Sequence, residues 1–150
     1  MSVLDSMRKV SYVEFLKQTE ALANEVRDWA RSQSPKDKEF GVRKLYELAE
    51  DAFTEAFEGN ESFPSTVKAV DYRLQHFKLA QAKLHTFNAQ LSLLRRSGKT
   101  NNKQTLKISN KKVKRWCNYS ECALKLLGGA IAKDKQKRKE LKAKEEIEES

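Results

Sequence analysis

Apolar residues recur along this chain in steps of three and four, not two, which predicts helices throughout. Ser11-x-x-Glu14 reads as a capping box. Around and after it Tyr12, Phe15, Leu22, Val26 and Trp29, with Leu16 and Ala23 beside them, form an apolar stripe that ends near Ser32. Ser34-Pro35 reads as an N-cap followed by proline at the first helical position, where a missing N–H costs nothing. A second helix then sets Val42, Leu45, Ala49, Ala52 and Ala56 on one seam, widened by Tyr46, Phe53 and Phe57, and Gly59-Asn60 closes it. Pro64 opens a third helix. There Val70, Phe77, Leu84 and Leu91 stand at seven-residue intervals beside Ala80, Phe87 and Leu94, the repeat of a left-handed bundle. Arg73 breaks the second row, either as a long side chain that snorkels past the seam or as an inter-subunit contact.

Gly98 ends the third helix, and Lys99 to Thr105 form a polar loop of ordinary length. A fourth helix begins near Ser109 and carries Val113, Trp116, Ala123, Leu127 and Ala130, reinforced by Cys117, Leu124 and Ile131. Gly128-Gly129 interrupts that pattern. The pair reads as a helix C-cap or as a close helix or subunit approach that needs the absent side chains. Beyond it the sequence is almost wholly charged, "KDKQKRKELKAKEEIEES", which suits a solvated helix held by Lys–Glu pairs four apart, or a disordered arm. The predicted fold is all-α: an antiparallel up-down four-helix bundle over residues 1–132, with a charged C-terminal extension over 133–150.

At 150 residues the chain is one domain by size, and such a domain can bury about 68–70% of its unfolded surface without staples. Cys117 and Cys122 lie five apart in a helical pattern, where their side chains diverge, so neither a disulfide nor a metal knuckle is favoured. No stretch approaches the roughly 20 apolar residues that span a bilayer, and residues 1–12 lack the apolar run of a signal peptide. The expectation is a cytoplasmic protein with no membrane association.

Catalytic groups do not converge in this sequence. His76 and His85 are nine apart, in different sectors of their helix, and no Glu-x-x-His pair is present to hold a bundle metal. Glu47, Glu50, Asp51, Glu55 and Glu58 fall mostly off the apolar seam and read as a solvated acidic face. "RRSGKT" (95–100) ends like a nucleotide-binding loop, but Leu93 stands where its first glycine belongs and the preceding pattern is helical. The chain is therefore expected to be a non-enzyme with no catalytic residue, no metal site and no cofactor.

The formal charge of +9 is unevenly spread. Residues 1–66 carry 9 Lys/Arg against 13 Asp/Glu, residues 67–138 carry 18 against 3, and residues 139–150 carry 3 against 5. Cations this poorly relieved by acids repel one another along a helix, and they are what phosphate backbones attract. The candidate nucleic-acid-binding residues are Arg73, Lys78, Lys83, Arg95, Arg96, Lys99, Lys103, Lys107, Lys111, Lys112, Lys114 and Arg115. Of the aromatics near this run only Tyr119 is expected to be exposed, so backbone-directed binding of structured RNA or DNA is favoured over base stacking. The competing readings are a generic solubilising face and a protein-interaction module that docks on an acidic partner. Membrane association would need an apolar face that residues 133–150 lack.

Three stretches also resemble one known family. They are "SPKDKEFGVRKLYELAEDAFTEAFEGN" (34–60), "VDYRLQHFKLAQAKLHTFNAQL" (70–91), which opens with Asp71, and "ISNKKVKRWCNYSECALKLLGGAIAK" (108–133), with its Leu-Leu-Gly-Gly ending. Together they are similar to the accessory variability proteins of diversity-generating retroelements, across about residues 12–133. The resemblance implies a four-helix bundle that assembles as a homopentamer. It also implies binding of the element's reverse transcriptase and template RNA, in support of mutagenic cDNA synthesis and without catalysis. Two departures stand out: Ala130 where the family often has an aromatic, and a longer charged tail.

Overall fold

The structure, a computed structural model, describes residues 13–37, 41–97, 99–100, 103–104 and 108–149. Four long helices dominate it: α1 (Glu14–Arg31), α2 (Arg43–Glu61), α3 (Val67–Ser97) and α4 (Asn110–Glu149). Helix α1 packs on α2 and α4, and α3 packs on the same two, so the four seams close a ring around one apolar core. Two-residue strands β1 (Lys99–Thr100) and β2 (Lys103–Gln104) pair antiparallel in the loop between α3 and α4.

The periodic rows become the core. Val70, Phe77, Ala80, Leu84, Phe87, Leu91 and Leu94 of α3 are all buried, as are Val42 and Leu45, Ala49, Ala52 and Ala56 of α2. Each large apolar side chain removed from water in this way contributes about 1.5–3 kcal/mol. Aromatic edges lock helices together across the core: Phe15 meets Phe77 at 5.3 Å between centroids, and Trp29 meets Trp116 at 5.4 Å, both nearly perpendicular. Leu48, Leu74, Thr19 and Ser120 are buried as well, outside the expected rows. Thr19 fits because its hydroxyl donates to Phe15 O at 2.9 Å in the preceding turn. Phe57, expected to widen the α2 seam, is instead 39% exposed and rests on Phe53.

Helix ends depart from the sequence reading in several places. Helix α1 starts after Val13 with no side-chain cap, and Ser11 and Tyr12 lie outside the described residues. Pro35–Asp37 make a single helical turn and do not open α2, which begins at Arg43 after Gly41 takes φ +114°. Only glycine is comfortable there, and a Cβ would also come within 2.9 Å of Gln90 Nε2. Helix α3 starts at Val67 and not at Pro64, with Thr66 accepting from Ala69 N at 3.1 Å, while α4 starts beside Ser109 as expected, and Ser109 caps it by accepting from Lys112 N at 3.1 Å.

Two glycine assignments are corrected. Gly59 does not end α2, which continues to Glu61. The glycine is buried where a Cβ would lie 2.7 Å from a Phe77 ring carbon, so its role is close packing of α2 on α3. Gly128-Gly129 does not interrupt α4 either: the helix runs through it as one 40-residue rod. The buried positions Trp116, Ser120, Ala123, Leu127, Ile131 and Asp134 continue in steps of three and four across the pair. The first part of the charged extension is consequently docked helix, with Asp134 buried and Leu141 packed against the core.

Candidate nucleic-acid interface

Side-chain pairs fix how the helices run. Arg73 meets Asp134, Arg138 meets Asp71, and Arg95 meets Asn110, so positions rise along α4 as they fall along α3 and the two are antiparallel. The C-terminal end of α3 therefore lies beside the N-terminal end of α4. Trp29 against Trp116 and Arg115 against Glu25 bring the C-terminal end of α1 to the same place. Gly41, close to Gln90 and Leu94, brings the N-terminal end of α2 there too.

This end gathers six of the expected cations: Arg95, Arg96, Lys111, Lys112, Lys114 and Arg115. Arg95 and Arg96 occupy the last turn of α3, where the helix dipole favours cations. Lys111 and Lys112 occupy the first turn of α4, where it disfavours them, and no acid is present in that turn. The first turn of α2 repeats the pattern with Arg43 and Lys44 and no acid. Cations so placed each cost about 0.3–1 kcal/mol relative to acids. Among the described residues, Arg96, Lys111, Lys112 and Lys114 have no carboxylate within ion-pair distance.

Other expected residues are engaged or remote. Arg73 neither snorkels into water nor waits for another subunit: its Nε donates to Asp134 at 2.9 Å, its Nη1 donates to Ser62 O at 2.9 Å, and its guanidinium lies over the Phe77 ring. With 14% of its side chain exposed, it is a structural residue and is withdrawn from the interface. Lys83 meets Asp51 at 3.5 Å on the α2–α3 seam. Arg115 pairs with Glu25, whose carboxylate beside Tyr119, together with burial, raises that phenol's pKa. Lys78 is exposed but stands 17 positions before Arg95, about 26 Å along the axis. Lys99 and Lys103 belong to the backbone pairing in the α3–α4 loop, and Lys107 lies outside the described residues.

The acids of α2 are not merely a solvated face. Glu55 Oε2 lies 2.5 Å from His76 Nδ1, Glu58 accepts from Tyr72 at 3.0 Å and Asp51 faces Lys83, so they join α2 to α3 along its length. His85 is exposed. Cys117 is half-buried and burial pushes its thiol pKa up, which keeps it protonated and inert. Among the described residues no cluster of three metal-ligating side chains occurs, and no helix is long and apolar enough to cross a membrane.

Arg27, Arg31 and Arg43 also reach this end and were not expected, because they belong to the half of the chain whose acids outnumber its bases. The i,i+4 spacing of Arg27 and Arg31 was the legible signal. No family model, no curated protein and no solved structure matches the chain.

Proposed function

We propose that the protein is a non-catalytic accessory protein that binds structured RNA through the cationic end of its bundle. The observation that carries this reading is the placement of Lys111, Lys112, Arg43 and Lys44 at two helix N-termini with no acid in either turn. A scaffold selected only for stability puts acids there; a polyanion lying across this end would offset both the charge repulsion and the dipole.

The resemblance of residues 34–60, 70–91 and 108–133 to the accessory variability proteins extends the proposal to its partners: template RNA and the reverse transcriptase of a diversity-generating retroelement, met in the cytoplasm by a homopentamer. Self-association has its own support. Gln75, Leu79, Ala82, Thr86 and Ala89 are all exposed, uncharged and aligned along α3 at steps of three and four, the form of a helix-packing seam. Five copies would set five cationic ends around one axis, turning a modest field into a strong one.

The test is binding of structured RNA across a salt series. The reading expects affinity to fall linearly on logarithmic axes, by about 0.7–0.9 per phosphate contact. Affinity that is negligible at low salt, or flat with salt, overturns it. Loss of a protein partner on reversing Lys111, Lys112 and Arg115, with RNA affinity unmeasurable, would put docking on an acidic protein in its place.

A further inference from the structure

A groove of about 220 Å³ opens between the last turns of α1 and the first turns of α2, lined by Arg27, Ala30, Arg31, Val42, Arg43 and Tyr46. Its floor is apolar: Val42 is fully buried and Ala30 packs against the core. Three arginines line so small a space, two of them one turn apart on α1 and the third supplied across the gap by α2. Tyr46 lines the same groove; Glu50 and burial raise its phenol pKa, and the positive charges of Arg27 and Arg31 oppose that rise.

Neutralisation from within the protein is slight. Asp28 Oδ1 lies 3.7 Å from Arg27 Nε with most of its side chain in water, and Glu50 is taken by Tyr46. Among the described residues Arg31 and Arg43 have no ion pair, and Arg27 Nε is buried without a hydrogen-bond acceptor. Unpaired donors over an apolar floor are costly alone and favourable once an oxyanion accepts from them. Arginine forks match phosphate oxygens in pairs, and no side chain caps the adjoining α2 N-terminus, whose N–H groups add to the field.

We infer that Arg27, Arg31 and Arg43 form a pocket for a phosphate group. The groove is smaller than the roughly 300–1,000 Å³ of pockets that enclose drug-sized ligands, so it suits the phosphate end of a molecule and not its whole body. The group is a phosphomonoester of a small molecule or a phosphate of an RNA backbone; the chemistry is shared. The pocket uses no residue of α3 or α4 and shares only Arg43 with the residues that carry the RNA-binding reading.

The experiment titrates the full chain with inorganic phosphate against chloride at matched ionic strength, following backbone amide resonances. Saturable shifts grouped at residues 27–31 and 42–46 are expected, with apparent affinity about tenfold weaker in Arg31→Gln and in Arg43→Gln, both exposed and so tolerated by the fold. Shifts that match chloride, or that survive both substitutions unchanged, overturn the inference. Two further arms separate the sources. Displacement of bound phosphate by duplex RNA assigns the pocket to backbone phosphates; saturation by adenosine 5′-monophosphate with no displacement by RNA assigns it to a small phosphorylated molecule. Because the first titration contains no nucleic acid, its failure leaves the salt-dependent RNA binding of Lys111 and Lys112 standing.

Discussion

Asp134 of α4 accepts a 2.9 Å hydrogen bond from Arg73 of α3, 61 positions earlier, with only 7% of its own side chain exposed. The pair stands where the third helix loses an apolar residue and where the bundle was expected to have given way to a solvated charged extension. One ion pair thus explains both irregularities: the arginine is kept in the seam, and the helix must continue past the glycines to reach it. Arg138 repeats the attachment one turn on, donating to Asp71 Oδ1 at 2.6 Å, an interaction that holds its charge more firmly than usual.

Removing one partner of such a pair leaves a charge buried without its counterion. Asp134→Ala is expected to destabilise the bundle by about 3 kcal/mol in urea unfolding, while the apolar pair Arg73→Met with Asp134→Leu recovers most of that loss. Equal losses for the single and double variants would show that the ion pair is not what the site depends on.

The glycines of α2 and α4 are expected to respond in opposite directions. Gly59→Ala puts a Cβ against the Phe77 ring and 3.3 Å from Arg73 O, so overpacking outweighs the gain in helix propensity and stability falls by about 1–2 kcal/mol. Gly129→Ala meets nothing within 4 Å inside a continuous helix and is expected to stabilise by about 0.5–1 kcal/mol. Thermal unfolding of the two variants side by side checks the contrast.

Cations of similar sequence appearance are expected to differ in RNA binding. Lys111→Gln and Lys112→Gln each reduce the salt slope by about 0.7–0.9, whereas Lys83→Gln, whose charge faces Asp51, leaves affinity within about twofold. Filter binding or fluorescence anisotropy at three salt concentrations reads the difference.

The uncharged stripe on α3 makes oligomerisation addressable without touching the core. Ala82→Arg is expected to reduce the mass measured by light scattering to that of a 17.3 kDa chain while leaving helical content unchanged. An oligomer that persists with Ala82→Arg and also with Leu79→Glu would place subunit contacts elsewhere.

Alkaline pH should loosen the seam between α1 and α4. The carboxylate of Glu25 beside Tyr119, together with burial, raises the phenol's pKa above the ordinary 10.0. The folded phenol therefore keeps its proton where the unfolded one releases it. That contribution to stability is complete below the unfolded value and disappears as pH rises through the folded one. Between pH 8 and pH 11 the urea midpoint is expected to fall further in the wild type than in Tyr119→Phe.

Much of the architecture was present in the chain's own periodicity. The seven-residue rows of α3, the alanine seam of α2 and the Phe15-to-Trp29 stripe of α1 all became core, because a helix turns by a constant angle and its own sequence decides which face is apolar. The concentration of cations in residues 67–138 was equally legible as a count. What each cation or glycine does could not be read this way, since it depends on distances between elements that periodicity leaves open. Gly59 looked like a terminus until Phe77 was packed on it, Arg73 looked like a snorkelling or inter-subunit side chain until α4 carried Asp134 to it, and Arg43 carried no signal until α1 and α2 brought it into one groove with Arg27 and Arg31. Local patterning determined the helices and their buried faces. Only the docking of one helix on another decided which charges are neutralised and which are left to meet a partner, because screening and pairing act through space over a few ångströms and not along the chain.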